Sequence, residues 1–500
     1  MKPTGFRIVW GLGLLASLQG CEVGPDFHAP KAPQAKFSTA PQAHFAAAAQ
    51  TGAAPQTIVP GGDIAGDWWT LYQNPALNTM ITTALANNPS LTAAQASLVQ
   101  AEESLRAAGG VLLPTVSAGL SAEREQPSSA TLATFGGSSG STSIAPYTLY
   151  NASLSVSYAL DLWGEARRDV EGLQAQTEYQ RDELEAAYLS LTGNIVTAAI
   201  QSASLQAQID ATNQVIAAEQ QVLSILQTQQ TLGGASGAQV LQQQAQLAQS
   251  QATLPPLQAE LAQTQDELVA YEGAFPGNAM PPVVTLDALT LPADVPLNIP
   301  SSIVAQRPDI RAASAQLHTA STNVGVADAQ MLPQITLSAE IGHQSLTTGT
   351  LFTPQTLLWN LVAGATQPIF EGGELAANRK GAIAALQGSG AQYQHTVITA
   401  FQNVADVLAA LQYDADELSE ATAAREAAQQ SLAVTQAQFK LGGEPLTAVL
   451  TAQTTFQTAA IAEVKAKAAR LSDTAALYVA LGGGWWHRND VAQKCCGVIP

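Results

Sequence analysis

Positive charge is scarce in this 500-residue chain: 20 Lys and Arg stand against 39 Asp and Glu, a formal charge of −19. So acidic a protein lacks what is needed to neutralise phosphates, which excludes nucleic acid as a partner. Cysteine is almost missing too. Its three copies are Cys21, Cys495 and Cys496, and the adjacent pair is a poor disulfide framework for a chain of this size. The six histidines, at 28, 44, 318, 343, 395 and 487, are scattered singly without zinc-ligand spacing. No nucleophile elbow and no phosphate-cradling glycine loop is found. Neither a catalytic residue nor a metal ligand is expected. Aromatics are only 6% and charged residues 12%, with Ala and Gln in their place, which is the composition of long, weakly charged helices rather than of a bulky core.

The N-terminus has a plan of its own. Lys2 and Arg7 precede an apolar run from Ile8 to Leu18 that is too short to cross a bilayer as a mature helix, so residues 1–20 read as a signal peptide. Leu18-Gln19-Gly20-Cys21 resembles a lipobox, in which the cysteine becomes the lipidated first residue of the mature chain. Glu22 stands where an aspartate usually retains bacterial lipoproteins in the inner membrane, and the resemblance therefore implies the outer membrane. Cleavage before Cys21 removes two basic residues and no acidic ones, leaving 18 − 39 = −21.

The chain also matches itself. Asn88-Pro89-Ser90-Leu91, with downstream Ala93, Leu98, Pro114 and Val116, aligns with Arg307-Pro308-Asp309-Ile310, Ala312, Leu317, Pro333 and Ile335 at a shift of 219. Leu232-Gly233-Gly234 followed by Val240 and Leu241 aligns with Leu441-Gly442-Gly443 followed by Val449 and Leu450 at a shift of 209. Each half reads as a helix, two strands, a long helix, a break and another helix.

The strands carry a period of two. Tyr150, Ala152, Leu154, Val156, Tyr158, Leu160 and Leu162 alternate with Asn151, Ser153, Ser155, Ser157 and Asp161. Val116 to Ala122, Ile335 to Ile341 and Leu357 to Ala363 repeat the pattern. Each has the length of a tilted membrane strand, apolar for lipid and polar for a lumen; a soluble sandwich with one wet face would alternate likewise. Residues 126–147 and 344–355 read as the connecting loops. Four strands cannot close a barrel, and open edges in hydrocarbon leave backbone groups unsatisfied, so several copies must join. Two copies supply eight strands and three supply twelve. No proline lies between Pro146 and Pro255, or between Pro368 and Pro445, so each half can hold a helix of roughly 65 residues, about 100 Å long. Leu184, Tyr188, Leu191, Ile195, Leu205, Ile209, Thr212 and Ile216 mark a coiled-coil stripe. A helical adaptor or adhesin shares such helices, but it has no need of four lipid-length strands.

Several blocks then resemble the TolC-like outer-membrane factors, in particular the NodT-type lipoproteins that serve resistance-nodulation-division efflux pumps. They are Cys21-Glu22-Val23-Gly24-Pro25-Asp26-Phe27, Asp67-Trp68-Trp69, Asn74-Pro75-Ala76-Leu77, Leu160-Asp161-Leu162-Trp163-Gly164, Arg307-Pro308-Asp309-Ile310-Arg311, and Ala480-Leu481-Gly482-Gly483-Gly484-Trp485. The resemblance implies an α+β membrane protein, a homotrimer whose twelve strands form a transmembrane β-barrel continuous with a periplasmic α-helical barrel. It implies an efflux channel with a periplasmic adaptor, an inner-membrane pump and outer-membrane lipid as partners. No cofactor is implied beyond the S-diacylglycerol and N-palmitoyl groups on Cys21. The organisation that follows is a leader (1–20), a lipidated N-terminal segment (21–74), a first repeat (75–274), an equatorial linker (275–305), a second repeat (306–482) and a tail (483–500). By the same resemblance Leu232, Gly233, Gly234, Leu441, Gly442 and Gly443 form the periplasmic tip, and Leu446 an apolar constriction facing the axis. Thr451 and Thr454 stand where pump-linked relatives often carry an acidic and a basic residue. They are either gate residues or interhelical packing.

Overall fold

The computed structural model describes residues 22–31, 44–45, 56–126, 145–297 and 300–488. The leader, Cys21, residues 127–144 of the first loop, and Cys495 and Cys496 lie outside the described residues. Along the chain run β1 (His44–Phe45), β2 (Gln56–Pro60), α1 (Pro75–Asn87), α2 (Pro89–Gly109), β3 (Thr115–Glu125), β4 (Tyr147–Leu160), α3 (Glu165–Thr231), α4 (Gly237–Ala252) and α5 (Leu254–Tyr271). There follow β5 (Asp294–Leu297), α6 (Pro300–Gln306), α7 (Pro308–Ala329), β6 (Gln334–Ser345), β7 (Leu357–Thr366), α8 (Glu374–Lys440) and α9 (Leu446–Ala480). Among the described residues no helix is long and apolar enough to cross a membrane.

Two compact units are present, and each draws on both halves of the chain. The first takes Val99–Tyr179 and Ser314–Gln392 with the N-terminal residues through Ala29. Its centre is an antiparallel sheet of order β3-β4-β6-β7. The halves meet at β4 and β6, from Tyr150↔Ser345 to Leu160↔Ile335. The alternation expected to run on to Leu162 stops at Leu160, because Asp161 turns back to accept the Arg167 backbone N–H (3.0 Å) at the start of α3. That bond satisfies one of the orphan donors of the helix N-terminus. β6 continues to Ser345, two residues into the expected loop.

The second unit, Pro30–Leu98, Gln180–Ala313 and Tyr393–Pro500, holds the larger core. Trp68 stacks on Tyr478 with ring centroids 5.4 Å apart, and the Tyr72 hydroxyl donates to the Leu471 carbonyl at 2.8 Å. Here the segment read as a linker becomes a structural strand: β5 lies parallel to β2 and pairs Thr57↔Asp294 to Pro60↔Leu297. Arg307 joins the start of the second half to the end of α9. Its Nη1 donates to the Ala480 carbonyl (2.7 Å), while Nε and Nη2 grip both oxygens of Asp309 (3.0 and 2.7 Å). Arg311 donates to Asp182 (2.9 Å) and lies over the Trp485 ring at 4.8 Å.

The long helices follow from the proline-free stretches. α3 and α8 are both 67 residues and start 209 positions apart, at Glu165 and Glu374. Of the stripe residues, Leu191, Ile195, Leu205, Ile209, Thr212 and Ile216 are buried, as helical periodicity requires of a packed face. The return helices also stand 209 apart, from Gly237 and from Leu446. α9 is unbroken, whereas the first return breaks at Thr253, where Pro255 and Pro256 withdraw two N–H donors.

Candidate functional site

The sheet of the first unit has two chemically distinct faces, kept in step across four strands by the register. Val116, Val156, Ala339 and Leu361 form one row, and Ala118, Leu154, Ile341 and Trp359 the next. Between these rows, on the opposite face, lies Ser117, Ser155, Glu340 and Asn360. Within that polar row the Ser117 and Ser155 hydroxyls are 2.7 Å apart, and Asn360 Nδ2 donates to Glu340 at 3.1 Å. The apolar face is uncovered: Leu120, Trp359 and Leu361 are all strongly exposed. Among the described residues β3 and β7, the outer strands of the order, each pair on one side only.

A short N-terminal segment is clasped beneath this sheet. The Val23 N–H donates to the Trp163 carbonyl (3.1 Å), three residues past the end of β4. Arg168, largely buried, binds Asp26 (2.8 Å), Glu171 (2.7 Å) and Glu22 (3.3 Å). Its hydrogen bond and then its charge hold the Asp26 carboxyl below the ordinary carboxylate range. Phe27 stacks on His318 at 4.2 Å, and His318 Nε2 meets Glu171 at 2.8 Å. Gly24, at φ +98°, lies so close to Gly325 that a Cβ there would come within 2.3 Å of backbone. This fit explains glycine at position 24.

At the C-terminal ends of α3 and α8 the two Leu-Gly-Gly turns share one geometry. Gly233 and Gly442 adopt φ of 79° and 80°, and the following glycine N–H donates back to the Gln229 or Gln438 carbonyl (2.7 and 2.9 Å). Such a bond caps the free carbonyls of a helix C-terminus and requires a left-handed residue. Leu232 and Leu441, one residue earlier, are 80% and 87% exposed. Ser236 then caps α4 through a reciprocal pair of bonds with Gln239.

Leu446 is not free to project. It is 3% exposed, enclosed by Val222, Leu226, Val240, Val449 and Leu450 of its own chain. A side chain so surrounded packs between helices of its own chain. Thr451 and Thr454 are exposed and spend their hydroxyls on the Thr447 and Leu450 carbonyls of their own helix (2.9 and 3.0 Å). Thr451 lines a cavity of about 420 Å³ with Ala428, Ser431, Thr435, Ala448 and Thr455.

The matching place in the first helix pair, 209 residues earlier, is filled instead. Glu219 is fully buried there, accepting from Ser250 Oγ (2.9 Å) and Gln246 Nε2 (3.3 Å), while Gln243 donates to its backbone carbonyl (3.1 Å). Burial pushes the Glu219 carboxyl up, against the pull of the Ser250 and Gln246 bonds. Periodicity cannot announce this network, because its members sit in a Gln-rich stretch where polar residues are the rule. A comparison of the halves at the 209 shift does mark it: Glu219 faces Ala428 and Gln243 faces Ala452.

Among the described residues no group of three or more His, Cys, Asp or Glu side chains is placed to hold a metal ion. An amphipathic antiparallel sheet with edges unpaired among the described residues, followed in each half of the chain by a 67-residue helix, defines the class of outer-membrane channel proteins with helical extensions. The chain belongs to the outer membrane efflux protein family, whose profile matches residues 80–274 and 299–483. It is similar to the pyoverdine export outer membrane protein OpmQ of Pseudomonas putida, with 30% identity over 84% of this chain and 88% of that one. It is also similar to the antibiotic efflux pump outer membrane protein ArpC of Pseudomonas putida, 29% identical over 96% of both chains. Among solved structures, the outer-membrane channel OprN superposes with a TM-score of 0.83 at 24% identity, over 93% of this chain and all (100%) of that one. CmeC of Campylobacter jejuni superposes with 0.84 at 22% identity, over 95% and 98%. The protein is thus an outer-membrane component of efflux with the fold of the TolC-like channels.

Proposed function

We propose that three copies of this chain close a twelve-stranded barrel in the outer membrane, and that their long helices continue it as an α-barrel across the periplasm. The channel passively conducts drugs or other toxic small molecules delivered by a periplasmic adaptor and an inner-membrane pump, and it performs no catalysis itself. The observation that carries this reading is the four-stranded sheet with one uncovered apolar face, one polar face and two unpaired edges. In hydrocarbon each unpaired backbone group costs several kcal/mol, and only closure removes edges. The apolar rows face lipid and the row of Ser117, Ser155, Glu340 and Asn360 faces the lumen. Excess acid in the mature chain favours cations in that lumen, an effect that salt screens.

The two halves, read as an internal duplication, also specify how copies meet. β3 and β6 correspond at a shift of 219, β4 and β7 at 209, because Thr115↔Ser157 and Gln334↔Thr366 are equivalent pairs. Transferring the β4–β6 register to the outer strands places Gly364 of one copy opposite Ser121 of the next, and Ala365 opposite Leu120, the counterparts of Ser155↔Glu340 and Val156↔Ala339. Cysteines at Gly364 and Ser121, or at Ala365 and Leu120, should give oxidised trimers on denaturing gels. Pairing Gly364 with Gly119 or Glu123, one strand period away, should give little. Oxidised dimers that resist extension to trimers would refute threefold closure.

Cys21 is the lipid-bearing residue in this reading, carrying S-diacylglycerol and N-palmitoyl groups. The clasp at Glu22 to Phe27 supports it by holding the adjoining residues beside the end of β4. Mass spectrometry of the mature N-terminus should find an acylated Cys21; cleavage elsewhere with an unmodified cysteine would overturn the anchor. The turns at Leu232-Gly233-Gly234 and Leu441-Gly442-Gly443 form the periplasmic tip, closed at rest and opened when the adaptor docks, with Thr451 and Thr454 beside it.

A further inference from the structure

Glu219 on α3 is fully buried, and its carboxyl is satisfied on one oxygen only. Oε1 accepts from Ser250 Oγ (2.9 Å) and Gln246 Nε2 (3.3 Å) on α4, whereas Oε2 is buried without a donor. Gln243, also fully buried on α4, donates through Nε2 to the Glu219 backbone carbonyl (3.1 Å). That bond fixes the amide, because a flip would set oxygen against carbonyl oxygen. It leaves Gln243 Oε1 as a second buried acceptor with no donor. The network is rich in acceptors and short of a hydrogen.

No cation makes up the shortfall. Among the described residues no charged group acts on the Glu219 carboxyl, and its α4 partners Gln243, Gln246 and Ser250 are all neutral. One turn nearer the Leu232-Gly233-Gly234 turn, Val222 of α3 and Val240 of α4 pack with Leu446, Val449 and Leu450 of α9, all apolar. An ionised carboxylate buried there has no opposite charge to answer it. Burial pushes the carboxyl up, against the pull of the Ser250 and Gln246 bonds. The α8–α9 pair has Ala428 and Ala452 at the equivalent positions, so packing such a helix pair does not itself require an acid.

We propose that Glu219 is a neutral acid in the packed α3–α4 pair, with its proton on Oε2, and that it acts as a proton-dependent lock on that pair. A proton on Oε2 turns one of the two orphan acceptors into a donor. On ionisation the O–H bond breaks, the proton passes to water, and the carboxylate left behind is solvated only if α4 moves off α3. Because the packed acid titrates above an exposed one, the lock is complete below the ordinary carboxylate range. It weakens as pH rises from there and is lost as pH passes the packed-state value. Val222 and Val240 help to enclose Leu446, so loosening at Glu219 reaches that cluster one turn away. The lock lies within one chain and does not depend on how many copies close the barrel.

The test uses the full-length protein in detergent from pH 4 to pH 10, with two readouts. Infrared difference spectra are taken between wild type and Glu219→Gln, an isostere of the protonated acid. They should show one protonated carboxyl per chain that persists after exposed carboxyl groups have ionised. Hydrogen exchange, corrected for its intrinsic pH dependence, should show α4 protection falling about tenfold per pH unit above the ordinary carboxylate range. The fall should level off where the infrared band disappears, and in Glu219→Gln protection should stay flat. Ser250→Ala removes a donor that favours the carboxylate, so its band should persist to higher pH. That variant decides should Glu219→Gln fail to fold. A Glu219 band lost together with those of exposed carboxyl groups, or α4 protection that falls alike in wild type and Glu219→Gln, would overturn the lock. So would an unshifted band in Ser250→Ala.

Discussion

Val156→Arg should remove the protein from the outer membrane, while Ser155→Arg leaves it there. The two positions are neighbours in β4, but the register gives them opposite surroundings. Val156 lies in a row with Val116, Ala339 and Leu361, without a polar partner across the strands. An arginine facing lipid near the midplane costs about 2–4 kcal/mol, and the proposed trimer would meet that cost in each copy. Ser155 lies between Ser117 and Glu340, so an arginine there gains a carboxylate neighbour on the polar face. Heat-resistant trimer in outer-membrane fractions should fall at least tenfold for Val156→Arg and less than twofold for Ser155→Arg. The cation preference of single channels should weaken in the latter. Equal trimer yields from both variants would mean that the sheet does not face lipid.

Leu446→Ala is expected to loosen the tip by unpacking it, not by widening a ring. Removing a buried leucine typically costs about 2–5 kcal/mol through lost burial and the cavity left behind. Here the cavity would open among Val222, Leu226, Val240, Val449 and Leu450, where both return helices begin. Resting conductance in planar bilayers should rise, and cells should become more sensitive to a large antibiotic such as vancomycin. Leu446→Met, which conserves volume, should remain near wild type. Leu232→Ser and Leu441→Ser alter exposed side chains and should leave thermal stability unchanged. If Leu446→Ala and wild type conduct alike, packing at this cluster does not keep the tip shut.

Features with a short sequence period are legible in the sequence itself. The strands at Thr115–Glu125, Tyr147–Leu160, Gln334–Ser345 and Leu357–Thr366 announce themselves by alternation, and the long helices by proline-free stretches with a heptad stripe. The glycines of the Leu-Gly-Gly turns are equally local, since a left-handed φ at Gly233 and Gly442 excludes most other residues. The surroundings of Leu446 are not legible in the sequence for the opposite reason. A leucine one residue past a turn has the same local signature whether it meets an axis or its own neighbours, and only the approach of α3 and α4 shows that it is enclosed.

What the sequence by itself determined is therefore the four amphipathic strands with their two faces, the long helices and the order of features in both halves, because backbone periodicity and excluded dihedrals act within a few residues. Tertiary structure alone decided the pairings between distant residues: β4 with β6, Trp68 with Tyr478, Glu219 with Ser250, and Arg470 with Gln56. Each joins positions dozens to hundreds of residues apart. A buried polar group takes its partner from whatever the packed helices bring within about 3 Å, and nothing in the local pattern of an Ala- and Gln-rich helix specifies that distance.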